Sequence, residues 1–285
     1  MLKRTITGAV ITIVAVGFFL LRQYVDTRLF LLLIFGITLL ATYEINVALG
    51  EKTSKWQKAA SLIAVGLASI LNVLFGATGM LVTYLVFACL LFLAPVFFVG
   101  KVTLESVAYS LFALVYPAVL LIPLTLMNDL GDISFFALVL TFIISPCADV
   151  FAYLVGRTFK GKKLCPEISP NKTIEGAVGG VFGGCLGSFL IFILFDFVKV
   201  FGAQYGLTFS GLGLSNASVA VVYAVIGFFG SIMTQIGDLL ASHVKRFCGI
   251  KDYSHVLGAH GGIMDRFDGI MLNALFISFV FMFII

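Results

Sequence analysis

The sequence predicts an all-α, polytopic integral membrane bundle of about nine transmembrane helices. Three observations predict it. Hydrophobic residues make up 61% of the 285 and charged residues only 11%, so a soluble core is excluded. Mean hydropathy is +1.14, and apolar runs of about twenty residues, the length that crosses a ~30 Å hydrocarbon layer, recur along the chain. Finally, the basic residues are sorted by side. With the N-terminus cytoplasmic, fifteen of the 18 Lys and Arg fall in cytoplasmic segments, and only Arg22, Arg28 and Lys199 on the opposite side. The expected spans are residues 5–21, 29–49, 59–75, 79–99, 104–127, 133–156, 174–198, 216–240 and 264–285.

The first span follows Met1–Arg4 and imitates a secretory signal, but no small-x-small cleavage site precedes Arg22, so it reads as a retained span. The second carries Glu44 near its cytoplasmic end beside Tyr43 and Asn46. Two roles stay open for it, an interfacial or helix-bonded carboxylate and the edge of a polar cavity. Pro95, Pro117 and Pro123 fall inside the next spans and kink them, as membrane helices tolerate. The five cysteines form no C-x-x-C pair, which speaks against disulfides and a cysteine metal site.

Chemistry begins at the sixth span. Asp149, Tyr153 and Arg157 recur at i, i+4 and i+8 on one helical stripe, which sets Asp149 about 12 Å below Arg157. An acid at that depth either pairs with a basic side chain or marks a substrate path. The basic loop that follows ends in Ser169-Pro170, residues that suit a helix cap and a first helical position. In the seventh span, Gly179, Gly183 and Gly187, and likewise Gly176, Gly180 and Gly184, repeat every four residues, a close-packing pattern between membrane helices. No strand is expected before these glycines and no G-K-[ST] follows, so they are not read as a phosphate loop. Residues 199–215 form the one long outer connection and carry no chemistry.

The densest polar stretch lies between the eighth and ninth spans. Asp238, Ser242 and Lys245 fall at i, i+4 and i+7, with Arg246 beside them. Lys251-Asp252 and His260-Gly261-Gly262 follow, then Asp265 and Asp268 at the start of the last span. Gly261 and Gly262 let backbone amides approach a ligand, and a helix start favours anions. Carboxylates at such a place are reconciled with a phosphate if a divalent cation lies between them; oxygen ligands favour Mg²⁺. His243, His255 and His260 have none of the usual zinc spacings. For His260 a structural hydrogen bond and a phosphate contact both stay open.

The stretch Ser242–Asp268, SHVKRFCGIKDYSHVLGAHGGIMDRFD, resembles the signature of the phosphatidate cytidylyltransferases, or CDP-diacylglycerol synthases, at every constrained position. Gly237-Asp238, the D-x-x-A-Y-x-x-G-R run from Asp149 to Arg157 and the S-P-x-K-T-x-E-G run from Ser169 to Gly176 are also similar to that family, so the resemblance covers the C-terminal half. Gly258-Ala259 stands where the family often has Pro-Gly, which bears only on the stiffness of that turn. The resemblance implies transfer of the cytidylyl group of CTP to phosphatidic acid, Mg²⁺ dependence, a cytoplasmic active site, metal-binding roles for Asp238 and Asp265, and a homodimer. It fits a division into N-terminal helices, 1–128, and a catalytic region, 129–285.

On that reading Asp268 is a further metal ligand or lies just behind the ion. Ser242, Lys245, Arg246, Lys251 and Arg266 serve the reacting phosphates. Asp149, Arg157, Lys172, Asp252, His260, Gly261 and Gly262 face substrate, with Asp149 beside a second cation or a basic side chain. The setting is the inner membrane of a bacterium, and the net charge of +4 reflects membrane anchoring rather than nucleic-acid binding. Two rivals remain at this point. One is a CTP-dependent lipid or polyprenol kinase. The other is a transporter, which fits less well because the polar residues cluster at one membrane face and no inverted repeat is evident.

Overall fold

The computed structural model describes residues 2–198, 209, 213, 215–258 and 261–283. Its helices are α1 (Leu2–Tyr24), α2 (Arg28–Ala48), α3 (Lys55–Phe97), α4 (Leu104–Asn128), α5 (Ser134–Phe159), α6 (Ile174–Ile191), α7 (Asn216–Phe247) and α8 (Met264–Phe283). A small antiparallel hairpin of β1 (Lys163–Cys165) and β2 (Ser169–Thr173) lies between α5 and α6. Among the described residues, seven helices, α2 to α8, are long and apolar enough to cross a membrane. The protein is an integral membrane protein.

Seven differs from the expected nine for two reasons. The apolar stretch of α1 among the described residues is short, Ile13–Tyr24, and α3 contains two expected spans. At Gly76 the backbone takes φ 65° and ψ −163°, a region essentially reserved for glycine. A Cβ on Gly79 would lie 2.6 Å from the carbonyl oxygen of Leu71, eight residues back. A straight helix separates such residues by about 12 Å. The chain therefore bends sharply at Gly76, and segments 59–75 and 79–99 are two helices joined at a kink.

The chain forms two compact units, residues 1–125 with 247–266 and residues 126–246 with 267–285. In the first unit, α2 presents Phe30, Ile34, Ile37, Ala41 and Ile45, all buried, along one helical face. Asn46 fixes the register of that face, its Nδ2 donating to Ser61 Oγ of α3 at 2.7 Å and to Thr42 O at 3.0 Å. In the second unit, α5 and α6 pack along the glycine stripes. Cβ atoms at Gly179, Gly183 and Gly187 would meet Val155, Phe151 and Cys147 of α5 at 3.0 Å or less, whereas Gly184 abuts Gly227 and Ser231 of α7. The first stripe thus serves α5, while the second is divided, Gly176 meeting Ala152 and Gly156 of α5 and Gly180 meeting both Ala152 of α5 and Gln235 of α7. Asn273 of α8 donates to Thr141 O and Ser145 Oγ of α5, both at 3.0 Å, and Ser145 Oγ lies 2.9 Å from Thr234 Oγ1 of α7. Away from these polar ties, Phe136, Phe209, Tyr223 and Phe281 form an aromatic cluster.

The loop before α6 departs from expectation. Ser169 and Pro170 lie in β2 rather than opening a helix, because the segment pairs across to β1, with Lys163 opposite Thr173 and Cys165 opposite Ser169. The helix cap falls to Thr173, whose Oγ1 accepts from the Gly176 amide at 3.1 Å. A strand does precede the glycines, contrary to expectation, and the space a Cβ would need at each is taken by neighbouring side chains or backbone. Gly183→Ala places a methyl carbon 2.6 Å from the Cys147 carbonyl oxygen, backbone that cannot swing away. The expected cost is about 1–3 kcal/mol, the usual range for overpacking, read as earlier thermal unfolding in detergent.

Candidate active site

In the second unit a cavity of about 410 Å³ opens between α5, the β-hairpin, α6 and α7. Helix α5 supplies Asp149, Tyr153 and Arg157 to its wall, so the predicted stripe faces one space. Its deepest member is exposed to the cavity rather than enclosed by protein. β2 supplies Asn171 and Lys172, and α7 supplies Gln235 and Asp238. Lys172 Nζ and Asp238 Oδ2 form an ion pair across it. Ser242 Oγ, one turn along α7, donates to Asp238 Oδ1 at 3.4 Å, which turns that hydroxyl toward the carboxylate. Arg157 Nη1 donates to Tyr153 Oη at 2.9 Å.

Several contacts hold this wall in place. Gln235 Nε2 donates to Ala177 O of α6 at 3.1 Å, and Arg246 Nε donates to Ile168 O at 3.3 Å, tying the hairpin turn to α7. A Cβ on Gly237 would collide with the Asp268 carbonyl oxygen, so glycine there lets the backbones of α7 and α8 touch. That approach brings Asp268 within electrostatic reach of the Asp238 and Asp149 carboxylates, offset by the ammonium of Lys245. Asp268 Oδ1 also accepts from the Gly269 amide at 2.8 Å.

The first unit contains the other polar group, on the segment between α7 and α8. Lys251 and Asp252 are exposed, as is Arg266. His260 lies outside the described residues. Gly261 has φ 78°, which demands glycine. The Gly262 amide, expected to face a ligand, donates instead to Asp265 Oδ2 at 2.9 Å, and the Tyr253 amide donates to the same oxygen at 3.0 Å. At the start of α8 the anion is the protein's own. Glu44 of α2, only 1% exposed, accepts from the Ile263 and Met264 amides at 2.9 and 2.8 Å and from Ser254 Oγ at 2.5 Å.

Sequence reasoning had left the role of Glu44 open and missed Gln235 and Asn171. Gln235 was within reach, since it precedes Asp238 by three residues and shares its helical face. No local signal ties Glu44 to a loop some 210 residues away.

A family model described as the Cytidylyltransferase family matches residues 2–284. The chain belongs to the cytidylyltransferase family. The match runs through both units, so it places the N-terminal helices as well as the signature stretch within a cytidylyltransferase. A protein of Aquifex aeolicus (strain VF5) named phosphatidate cytidylyltransferase is 32% identical over 260 residues, spanning 90% of this chain and 83% of the relative. Relatives with the same name from Rickettsia felis and Rickettsia conorii are 34% and 35% identical over 182 and 156 residues. They cover 63% and 54% of this chain, and 73% and 62% of their own lengths.

Proposed function

We propose that the protein transfers the cytidylyl group of CTP to phosphatidic acid, giving CDP-diacylglycerol and pyrophosphate. The observation that carries this reading is the cavity where Arg157 and Lys172 stand with Asp149 and Asp238, in a chain similar throughout to phosphatidate cytidylyltransferases. Cations there suit phosphates. Carboxylates beside them suit a metal that a nucleotide brings.

The residues fit Mg²⁺. Asp238 already holds a cation, the Lys172 ammonium, and Asp268 has two carboxylate neighbours. Among the described residues no three His, Cys, Asp or Glu side chains converge on one point. Mg²⁺ does not need them, because one or two carboxylates with water and phosphate oxygens complete its shell. Asp238 would hold the ion, with Asp268 behind it; Asp265 keeps the metal role that the resemblance implies, and Asp149 that of a cavity acid near a second cation. Bound there, the ion would neutralise charge on the triphosphate and on the departing pyrophosphate.

The chemistry balances without a base. An oxygen of the lipid phosphate forms a bond to the α-phosphorus of CTP, and the bond from that phosphorus to the β-bridging oxygen breaks, releasing pyrophosphate. An ionised phosphomonoester carries no proton that must be removed, so catalysis is positioning and charge neutralisation. Lys172 and Arg157 supply positive charge in the cavity, and Lys245 and Arg246 on α7 extend it. Lys251 and Arg266, in the first unit, keep the phosphate roles read from the sequence. Ser242 orients Asp238, and Asp252, His260 and Gly261 keep the substrate-facing roles read from the sequence, whereas the Gly262 amide is taken by Asp265.

The direct test is purified protein in detergent with phosphatidic acid, CTP and Mg²⁺, followed by mass spectrometry of the lipid. One CDP-diacylglycerol per pyrophosphate is expected; no modified lipid from folded protein would remove the assignment. The reading also places the N-terminus and the β-hairpin on the cytoplasmic side of a bacterial inner membrane, in a homodimer. A cysteine introduced at Lys162, exposed in the hairpin loop, is expected to react with a membrane-impermeant maleimide in inverted vesicles and not in intact cells. The reverse pattern would invert the topology.

A further inference from the structure

We propose that Glu44 is a positioning residue for the transfer reaction, acting through the loop that carries Asp265. Glu44 sits on α2 and its carboxylate collects three donors, the Ser254 hydroxyl and the Ile263 and Met264 amides. Asp265 collects two more from the same loop, the Tyr253 and Gly262 amides. Two carboxylates therefore bind the loop at both of its ends.

The arrangement is demanding. A carboxylate that is 1% exposed is costly unless its oxygens are satisfied, and here two amides at a helix start and a hydroxyl satisfy them. The loop is shaped to admit it: a Cβ on Gly262 would lie 2.5–2.7 Å from the carboxylate atoms of Glu44. Glycine at 262 is thus explained by an internal anion, and the start of α8 is already charge-matched before substrate arrives. Removing the carboxylate frees amides 263 and 264, two and one residues before Asp265. That carboxylate then loses its fixed direction. The inference rests on the proposed reaction for its effect on rate, but the link from Glu44 to the loop stands on geometry alone.

The experiment pairs hydrogen exchange of the full-length protein in detergent with steady-state transfer. Glu44→Gln keeps size and one acceptor while removing the charge. It is expected to raise exchange at least 10-fold in residues 253–264, with other regions unchanged, and to lower kcat at least 10-fold with little change in KM for CTP. Ser254→Ala, which removes one donor, is expected to show a smaller change in the same direction. Gly262→Ala, which drives a methyl group into the carboxylate from the other side, is expected to match Glu44→Gln. Should Glu44→Gln fail to fold, these two variants decide the matter alone. Wild-type exchange and kcat in the variants would overturn the proposal, as would a loosened loop with undiminished kcat. If the wild-type protein modifies no lipid while Glu44→Gln still loosens the loop, the proposed reaction fails and the assignment of Glu44 to the loop is upheld.

Discussion

Replacing Asp238 by Asn lowers cytidylyl transfer about 10²- to 10³-fold, the loss typical of removing one preorganised electrostatic group from an active site, and leaves the protein folded. The two halves of this result have separate causes. Asp238 and Lys172 are paired, but their side chains are 30% and 27% exposed, so water screens the pair. An ion pair of that kind contributes about 0–1 kcal/mol to stability, and the melting temperature in detergent is expected to move little. Activity is different, because the Asn side chain matches the size of the carboxylate and cannot supply its charge to a cation. Transfer assayed across a Mg²⁺ series checks the point. Recovery at high Mg²⁺ is expected to be partial, and wild-type activity at ordinary Mg²⁺ would exclude Asp238 from the metal site.

The second large effect is at Asp265. Two loop amides, Tyr253 N and Gly262 N, donate to one oxygen of this side chain, Oδ2. An Asn placed with its carbonyl oxygen in that position accepts the same two bonds. Asp265→Asn is therefore expected to preserve the loop, with hydrogen exchange of residues 253–264 unchanged, while transfer falls by a similar factor of about 10²–10³. Its signature is the opposite of that expected for Glu44→Gln, in which the loop itself loosens. Equal loosening in both variants would assign Asp265 a structural duty in place of a chemical one.

What the sequence revealed, it revealed through short-range periodicity. Asp149, Tyr153 and Arg157 share a helical face at intervals of four, and all three line one cavity. Asp238 and Ser242 are likewise one turn apart, and they bond. The paired glycine stripes of α6 announced close packing, and each meets a neighbouring helix. Long-range pairing was hidden. Ser169-Pro170 has the local chemistry of a helix start, but backbone pairing with β1 prevails and moves the cap to Thr173. Nothing near Lys172 indicates that Asp238 is its partner, and nothing near Glu44 indicates a loop far along the chain. The break at Gly76 was captured as a gap between two apolar runs, although the backbone there is a kink at a single non-helical residue. Tertiary contacts of this sort depend on which helices become neighbours, and hydropathy does not encode that.

The measurement that bears most directly on the central claim uses CTP labelled in two positions. Purified protein, phosphatidic acid and Mg²⁺ are incubated in parallel with CTP carrying label on the α-phosphate or on the γ-phosphate, and the lipid is extracted. Attack at the α-phosphorus predicts that the α label enters the lipid and that the γ label leaves as pyrophosphate. Lipid carrying the γ label, with CDP in the aqueous phase, would contradict cytidylyl transfer and identify a CTP-dependent kinase.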